Sequence, residues 1–321
     1  MRRYSVIIPI YNRPDEIDEL LESLTQQAVP PFEVIIVEDG STLRCDQVVE
    51  KYASLLNIQY FYKPNTGQGF SRNFGFERAK GDYFVVFDSD CLIPPHYFET
   101  VDRYLDQQPL DAFGGPDRAQ EDFSIIQKAI SYSMTSLFTT GGIRGNKRHL
   151  GTFHPRSFNM GISREVFEKT RGYIIPRMGE DIEFSIRIIE MGFKTGLIED
   201  AYVFHKRRTS LRQFYRQLHF FGRARINVSR FYPKEIKLVH AFPAVFTLGA
   251  VGLWFLPLLS TPFFFLALGL FVFYFFLIFS DSLVKTKSLP VAVVSIAAAF
   301  TQLFAYGVGF ITEGVRKLVR N

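Results

Sequence analysis

The sequence predicts an α/β protein: a doubly wound parallel sheet first, then an α-helical transmembrane region. Three observations predict it. β-branched and apolar runs alternate with helical patterns through the first ninety or so residues, the mark of a parallel sheet with crossover helices. Two later stretches, Leu238 to Ser280 and Ser288 to Thr312, carry no Asp, Glu, Lys or Arg, and apolar runs of about 18 residues or more read as membrane spans. At the end of the alternating part lies Asp88-Ser89-Asp90, directly after the run Tyr83–Phe87. In open α/β sheets the ligand crevice sits at such strand ends.

The elements follow in order. Tyr4–Ile10 reads as the first strand, and Tyr11-Asn12-Arg13-Pro14 turns the chain. Ile17, Leu20, Leu21 and Leu24 have helical spacing, with Pro14, Asp15 and Glu16 suited to the first turn. Phe32–Val37 is a second strand ending at Glu38-Asp39-Gly40-Ser41, and Val48, Tyr52 and Leu55 suggest a short helix. Ile58–Tyr62, a helix over Gln68–Lys80, and the strand Tyr83–Phe87 complete this half. Beyond it, strands are expected near Ala112-Phe113, Thr195–Ile198 and Ala201–Phe204, and helices at Ser163–Thr170, Glu180–Met191 and Leu211–Phe231. The glycine-rich, basic stretch Gly141–Lys147 reads as a mobile loop.

Charge divides the chain. Residues 1–205 form the expected catalytic domain. Residues 206–237 carry ten basic side chains and one acid, Glu235. Such a block before a span is the positive-inside signature and suits an anionic leaflet. Its aromatics Phe214, Tyr215, Phe220 and Phe221, interleaved with arginines, suggest an interfacial amphipathic helix. Residues 238–321 then form the membrane region, with segments at about 239–256, 263–280 and 290–311. No apolar leader with a small-residue cleavage site follows Arg2-Arg3, so a multi-pass inner-membrane protein with a cytoplasmic catalytic domain is expected. Cys45 and Cys91 lack metal spacing and fit reduced cytosolic thiols. Nucleic-acid binding is the competing reading of the basic block, and the adjoining spans argue against it.

Two carboxylates on one strand end suit a hard divalent cation, with phosphate oxygens completing the shell. The neighbouring loops suit the rest of a nucleotide diphosphate. Tyr11 can stack on a base, and Asp39 can accept from a base or ribose donor. Gly67 and Gly69 allow close backbone approach at a helix amino end, where anions are favoured. Arg72 offers a bidentate fork. Asp181, after Gly179-Glu180, is placed to act as a general base, and His205 to join the metal shell or touch the diphosphate. Singly, each has a bland reading: a turn, a surface arginine, a helix cap or a structural histidine. The ordered set is far more specific.

That set resembles family 2 glycosyltransferases of the GT-A fold. The matching stretches are Ser5–Asn12, Val37–Ser41, Asn65–Gly67 through Arg72-Asn73, Ala79–Tyr83, Phe87–Cys91, Asn159–Gly161 and Gly179–Asp181. The resemblance implies a Rossmann-like nucleotide-diphospho-sugar transferase domain and an inverting transferase using Mg2+ or Mn2+. It places Pro9, Tyr11, Asn12, Arg13, Glu38, Asp39, Gly67, Arg72 and Asp88 around the UDP or GDP sugar. It gives Asp90 to the metal, with Asp88 and His205 beside it, makes Asp181 the base, and has Glu180 shape the acceptor site. Glu38 replaces the usual first Asp of its motif. Gln213-Phe214-Tyr215-Arg216-Gln217 lacks the Trp of processive synthases, which favours one sugar per binding event.

The expectation is therefore sugar transfer to a lipid-linked or glycan acceptor at the cytoplasmic membrane face, in surface glycan synthesis. The alternatives are a polyprenyl-phosphate glycosyltransferase, a nucleotidyltransferase releasing pyrophosphate, and a non-catalytic sugar-nucleotide sensor. Three spans would strand Arg316, Lys317 and Arg320 on the far side, against the positive-inside tendency.

Overall fold

The computed structural model describes residues 2–118, 123–140 and 153–320. The expected loop Gly141–Lys147 lies outside the described residues. In chain order the elements are β1 (Tyr4–Ile10), α1 (Pro14–Thr25), β2 (Glu33–Asp39), α2 (Asp46–Glu50), β3 (Ile58–Lys63), α3 (Gln68–Phe76), β4 (Tyr83–Phe87), β5 (Cys91–Leu92) and α4 (Tyr97–Gln107). Next come β6 (Ala112–Gly114), β7 (Asp117–Arg118), α5 (Ile125–Thr135), α6 (Leu137–Thr140), β8 (Asn159–Ser163), α7 (Arg164–Thr170), α8 (Glu180–Glu190), β9 (Thr195–Leu197) and β10 (Val203–His205). The last five are α9 (Leu211–Val228), α10 (Leu238–Gly252), α11 (Leu256–Leu259), α12 (Thr261–Thr286) and α13 (Leu289–Arg320). They fall into two compact units, 1–120 with 149–206 and 121–148 with 207–321. α5 and α6 thus belong with the carboxyl-terminal helices.

The first unit is built on a seven-stranded sheet of order β3-β2-β1-β4-β8-β6-β9. β1 to β4 are parallel, as the apolar runs predict. Val6, Ile8, Val34, Ile36 and Val85 pack on one face with α1 and α4, and Ile7, Ile35, Val37, Phe84 and Val86 on the other with α3 and α8. Burial on both faces explains why these strands are apolar throughout rather than alternating. β8, where no strand was expected, runs antiparallel to β4 and β6 and makes the full sheet mixed beyond its parallel half. Asn159–Ser163 is five residues long and holds Gly161, where an added Cβ would meet the Phe113 ring at 2.1 Å. So short and glycine-containing a strand gives too weak a β pattern to be expected from sequence. A small sheet, β5-β10-β7, pairs His205 with Cys91 and so carries His205 to the end of β4.

The second unit is helical, and α13 runs through it. α5 contributes Ala129, Ile130 and Met134, and α9 Phe214 and Leu218, to a cluster with Val291, Ala298 and Ala305 of α13. α12 stacks Phe271 on Phe246 of α10, and Ser282 bonds Ser295 at 2.8 Å. The segments expected at 263–280 and 290–311 lie inside α12 and α13, both long and apolar enough to cross a membrane. The segment expected at 239–256 forms the 15-residue α10 and a following turn. At 1.5 Å per residue α10 is about 22 Å long, against a hydrocarbon core of about 30 Å.

Candidate active site

The site gathers at the carboxyl ends of β1, β2 and β4 and the amino ends of α3 and α8. Asn12 shapes its first wall. It holds a left-handed φ of 54°, which Asn tolerates. Its Oδ1 accepts from the Thr42 and Leu43 N–H groups at 2.8 and 2.9 Å, and its own N–H donates to Ser41 Oγ at 2.9 Å. The β1 loop is thereby clamped to the turn after β2. Pro9 sits opposite Val37 in the ladder. Tyr11 is 52% exposed, leaving its ring open to stack on a planar ligand.

Glu38 and Asp39 point to opposite faces of β2. Glu38 is fully buried and accepts from the Cys45 N–H at 3.2 Å and from the Tyr60 hydroxyl. It turns away from the crevice. Asp39 accepts from the N–H groups of Thr66 and Gly67, each at 2.8 Å, and from the Lys63 ammonium. Burial alone would raise the Asp39 pKa, but Lys63 and the two N–H groups outweigh it and hold it below the usual range. The sequence reading missed Lys63. Its signal is register, since Lys63 stands directly opposite Asp39 in the β2–β3 ladder.

Gly67 caps α3 with φ of 98°, and an added Cβ there would meet the Pro176 carbonyl at 2.7 Å. At Gly69 it would meet the Ile175 carbonyl at 2.4 Å. The close approach these glycines allow is therefore made by the chain leading into α8. One turn on, Arg72 is 2% exposed. Its Nη2 donates to Asp88 at 2.9 Å, its Nη1 to Glu180 at 3.2 Å, and it lies over the Tyr173 ring. Its Nε is buried with no hydrogen-bond partner among the described residues.

Asp90 is almost fully buried, whereas the Asp88 side chain is 37% exposed. Asp90 Oδ2 accepts from Arg13 at 2.9 Å, and Asp90 Oδ1 lies 3.0 Å from His205 Nε2. His205 stacks on Phe158. Burial works to lower the His205 pKa, but Asp90 and Asp88 prevail and hold it above its ordinary value. Donor atoms of Asp90, Cys91 and His205 all lie within 4.8 Å of one another. The Asp90 carboxylate fits Mg2+ or Mn2+, and the His205 imidazole joins such a shell only after giving up its proton, since a ligating histidine is neutral. Cys91 does not, because burial pushes its thiol well above its usual pKa and keeps it protonated.

Gly179, at φ of 93°, starts α8. Glu180 is buried against Arg72 and Gln68, and burial together with Asp181 raises its pKa while Arg72 works against them. The Asp181 side chain is 27% exposed, lies 3.5 Å from Arg156, and accepts from the Ile182 N–H at 2.9 Å. Gln68, Tyr173 and Arg156 also escaped the sequence reading. Their partners lie far along the chain; Gln68 falls inside the stretch Asn65–Asn73 without a role of its own there, and no motif marks Tyr173 or Arg156.

The model for glycosyl transferase family 2 matches residues 5–171. An uncharacterized glycosyltransferase of Haemophilus influenzae is 42% identical over 216 residues, covering 64% of this chain and 70% of that one. The poly(ribitol-phosphate) beta-N-acetylglucosaminyltransferase TarS of Staphylococcus aureus is 36% identical over 115 residues, but only 35% of this chain and 20% of TarS are matched. The match to an uncharacterized glycosyltransferase of Rickettsia bellii spans 15% of that protein. Among solved structures, the mannosyltransferase PcManGT from Pyrobaculum calidifontis, in complex with GDP-Man and Mn2+, aligns with a TM-score of 0.68 at 16% identity over 98% of this chain and 88% of its own. TarS 1-349 in complex with UDP-GlcNAc aligns at 0.50 and 22% identity, over 70% and 67%. These likenesses show the GT-A fold, and with the matched family model and the Haemophilus relative they establish that the chain belongs to glycosyl transferase family 2.

Proposed function

We propose that the protein is an inverting, metal-dependent glycosyltransferase. It moves a sugar from a UDP or GDP sugar to a lipid-linked or glycan acceptor at the cytoplasmic membrane face. The observation that carries this reading is one ion-pair chain, Glu180–Arg72–Asp88, buried at Glu180 and Arg72 and open at Asp88, two residues from the Asp90–His205 pair and one from Asp181. The fold neighbours that hold GDP-Man with Mn2+ and UDP-GlcNAc support a nucleotide-sugar donor and a divalent cation.

Tyr11 stacks on the base. Asp39 fixes the loop Thr66-Gly67 that borders the nucleotide, and Asp88 faces the ribose and diphosphate. Asp90, with His205 once deprotonated, would hold the cation, which would supply positive charge to the diphosphate leaving group. Arg72 sets the position of Asp88 and Glu180. Asp181 takes the acceptor hydroxyl proton as the acceptor oxygen bonds the anomeric carbon and the bond to the diphosphate oxygen breaks. One displacement without a covalent enzyme intermediate inverts the anomeric centre. The catalytic region runs to residue 205, less the α5–α6 stretch that groups with the later helices, and is followed by a basic segment to 237 and a membrane region beyond, a division supported by the charge distribution and the exposed apolar face of α12.

A thermal-shift screen against UDP and GDP sugars with Mn2+ tests the donor. Stabilisation by one nucleotide class that disappears with chelator is expected. No response to any nucleotide sugar sinks the reading.

A further inference from the structure

We infer that α13 lies along the membrane surface rather than across it. Leu238–Ser280 then enters and leaves the bilayer from one face, and both ends of α13 stay on the side of α5 and α9. This rests on the membrane anchoring proposed above and adds its topology.

α12 and α13 differ in what surrounds them. The most apolar 18-residue stretch of α12 has a mean hydropathy of 2.5 and is 11% buried, against 1.8 and 50% for that of α13. α12 presents Phe263, Phe265, Leu270 and Phe273 outward, which suits lipid. α13 instead buries Ala298, Ala299 and Ala305 against other helices.

α9 runs parallel to the carboxyl-terminal half of α13. An added Cβ at Gly222 would meet the Tyr306 carbonyl at 2.1 Å, and one at Gly309 the His219 carbonyl at 2.1 Å, so the two backbones touch. Further on, Glu313 is held by Arg223 at 3.1 Å and Arg230 at 2.9 Å, and Lys317 Nζ lies 3.1 Å from Ser229 Oγ. If α13 crossed the bilayer, α9 would cross beside it and carry the exposed Arg212 and Arg216 into hydrocarbon, where arginine is costly.

The other end of α13 is tied to α5. Tyr132 of α5 donates to Asp281 at 2.6 Å and to the Ile278 carbonyl at 3.1 Å, just before the turn into α13. α5 has 11 residues, about 16 Å, too short to span. In the chain α5 and the four-residue α6 stand between β7 and β8, and neither helix is long enough to carry the chain across a bilayer. Both ends of α13 are thus fastened to elements of one side. Between Lys237 and Asp281 the chain goes in and returns, and its turn exposes Trp254, Leu258 and Leu259 with no charge. This places Lys285, Lys287, Arg316 and Lys317 on the same face as the α9 arginines, as the positive-inside tendency requires.

The test uses the full chain with Ser288→Cys and Val319→Cys introduced singly, one at each end of α13. The wild-type chain, whose Cys45 and Cys91 are buried, is the control. Sealed inside-out and right-side-out vesicles are treated with a membrane-impermeant maleimide. Both positions are expected to label in inside-out vesicles and to be spared in right-side-out ones. Labelling of the two from opposite sides, or failure of either to label in inside-out vesicles, overturns the inference. Recovery of the wild-type chain in the soluble fraction would instead refute the anchoring itself.

Discussion

Arg72 Nη1 lies 3.2 Å from Glu180 Oε1, and both side chains are almost fully buried. The other end of the same guanidinium holds Asp88. One side chain thus ties the end of β4 to the start of α8, the two places from which the proposed nucleotide ligand and the proposed base project. Removing one partner of a buried pair strands the other charge. Arg72→Gln is expected to lower unfolding stability by about 3–5 kcal/mol, read from denaturant midpoints. Arg72→Lys should recover little, since an ammonium lacks the fork that reaches both acids. A midpoint unchanged in Arg72→Gln would show that this clamp carries no weight.

Asp181 is the more exposed member of its acidic pair, and its carboxylate stays accessible beside Arg156. Asp181→Asn keeps size and removes the proton acceptor. Turnover is expected to fall by about 100- to 10,000-fold. Affinity for the nucleoside diphosphate with Mn2+, measured by calorimetry, should stay within about twofold, because Asp181 touches none of the groups proposed to hold the nucleotide. Loss of nucleotide affinity would move Asp181 into the donor site.

Asp90 and Cys91 are neighbours of His205 with opposite expected roles. Asp90→Ala should abolish the thermal stabilisation given by Mn2+ plus nucleotide. Cys91→Ser should retain it, since a buried neutral thiol contributes nothing to a hard cation. The reverse pattern would mean a softer, thiolate-bound metal.

Asp39 supplies a pH prediction. Its pKa is depressed in the folded protein, so its contribution is fully present above its unfolded pKa of about 3.9 and is lost as pH falls through the lower folded value. Asp39→Asn removes the charge from three donors and should cost about 1–3 kcal/mol at neutral pH. The gap between wild type and variant should be constant from pH 7 to about 5 and close as the pH falls below about 4. A gap that widens with acid would contradict the assignment.

Glu313 is 5% exposed and held by Arg223 and Arg230. Glu313→Gln should lower the melting temperature of the detergent-solubilised protein by several degrees, in line with about 1.5–3 kcal/mol for hydrogen bonds to a charged group. An unaltered melting curve would show that α9 and α13 hold together without it.

The parallel half of the sheet was legible because strands buried on both faces must be apolar throughout. Tyr83–Phe87 was read to the residue for that reason. β8 was not legible as a strand at all, since five residues with a glycine at their centre make too weak a β pattern to stand out. The acids at strand ends were legible as chemistry, but their partners were not. Arg72 meets Glu180 across a separation of 108 residues, and only the folded sheet relates them. Glu38 and Asp39 look equivalent in sequence, and strand alternation sends them to opposite faces. The grouping of α5 with the carboxyl-terminal helices rests on Ala129, Ile130 and Met134 packing on α9 and α13 and on Tyr132 meeting Asp281, pairings that no local pattern announces.

The most direct test is product analysis with membranes containing either the wild-type chain or Asp181→Asn, supplied with Mn2+ and a sugar-labelled nucleotide donor. The wild-type chain should release nucleoside diphosphate in step with label entering an acceptor, and Asp181→Asn should do neither. Release of pyrophosphate by the wild type, or undiminished transfer by Asp181→Asn, would contradict the account.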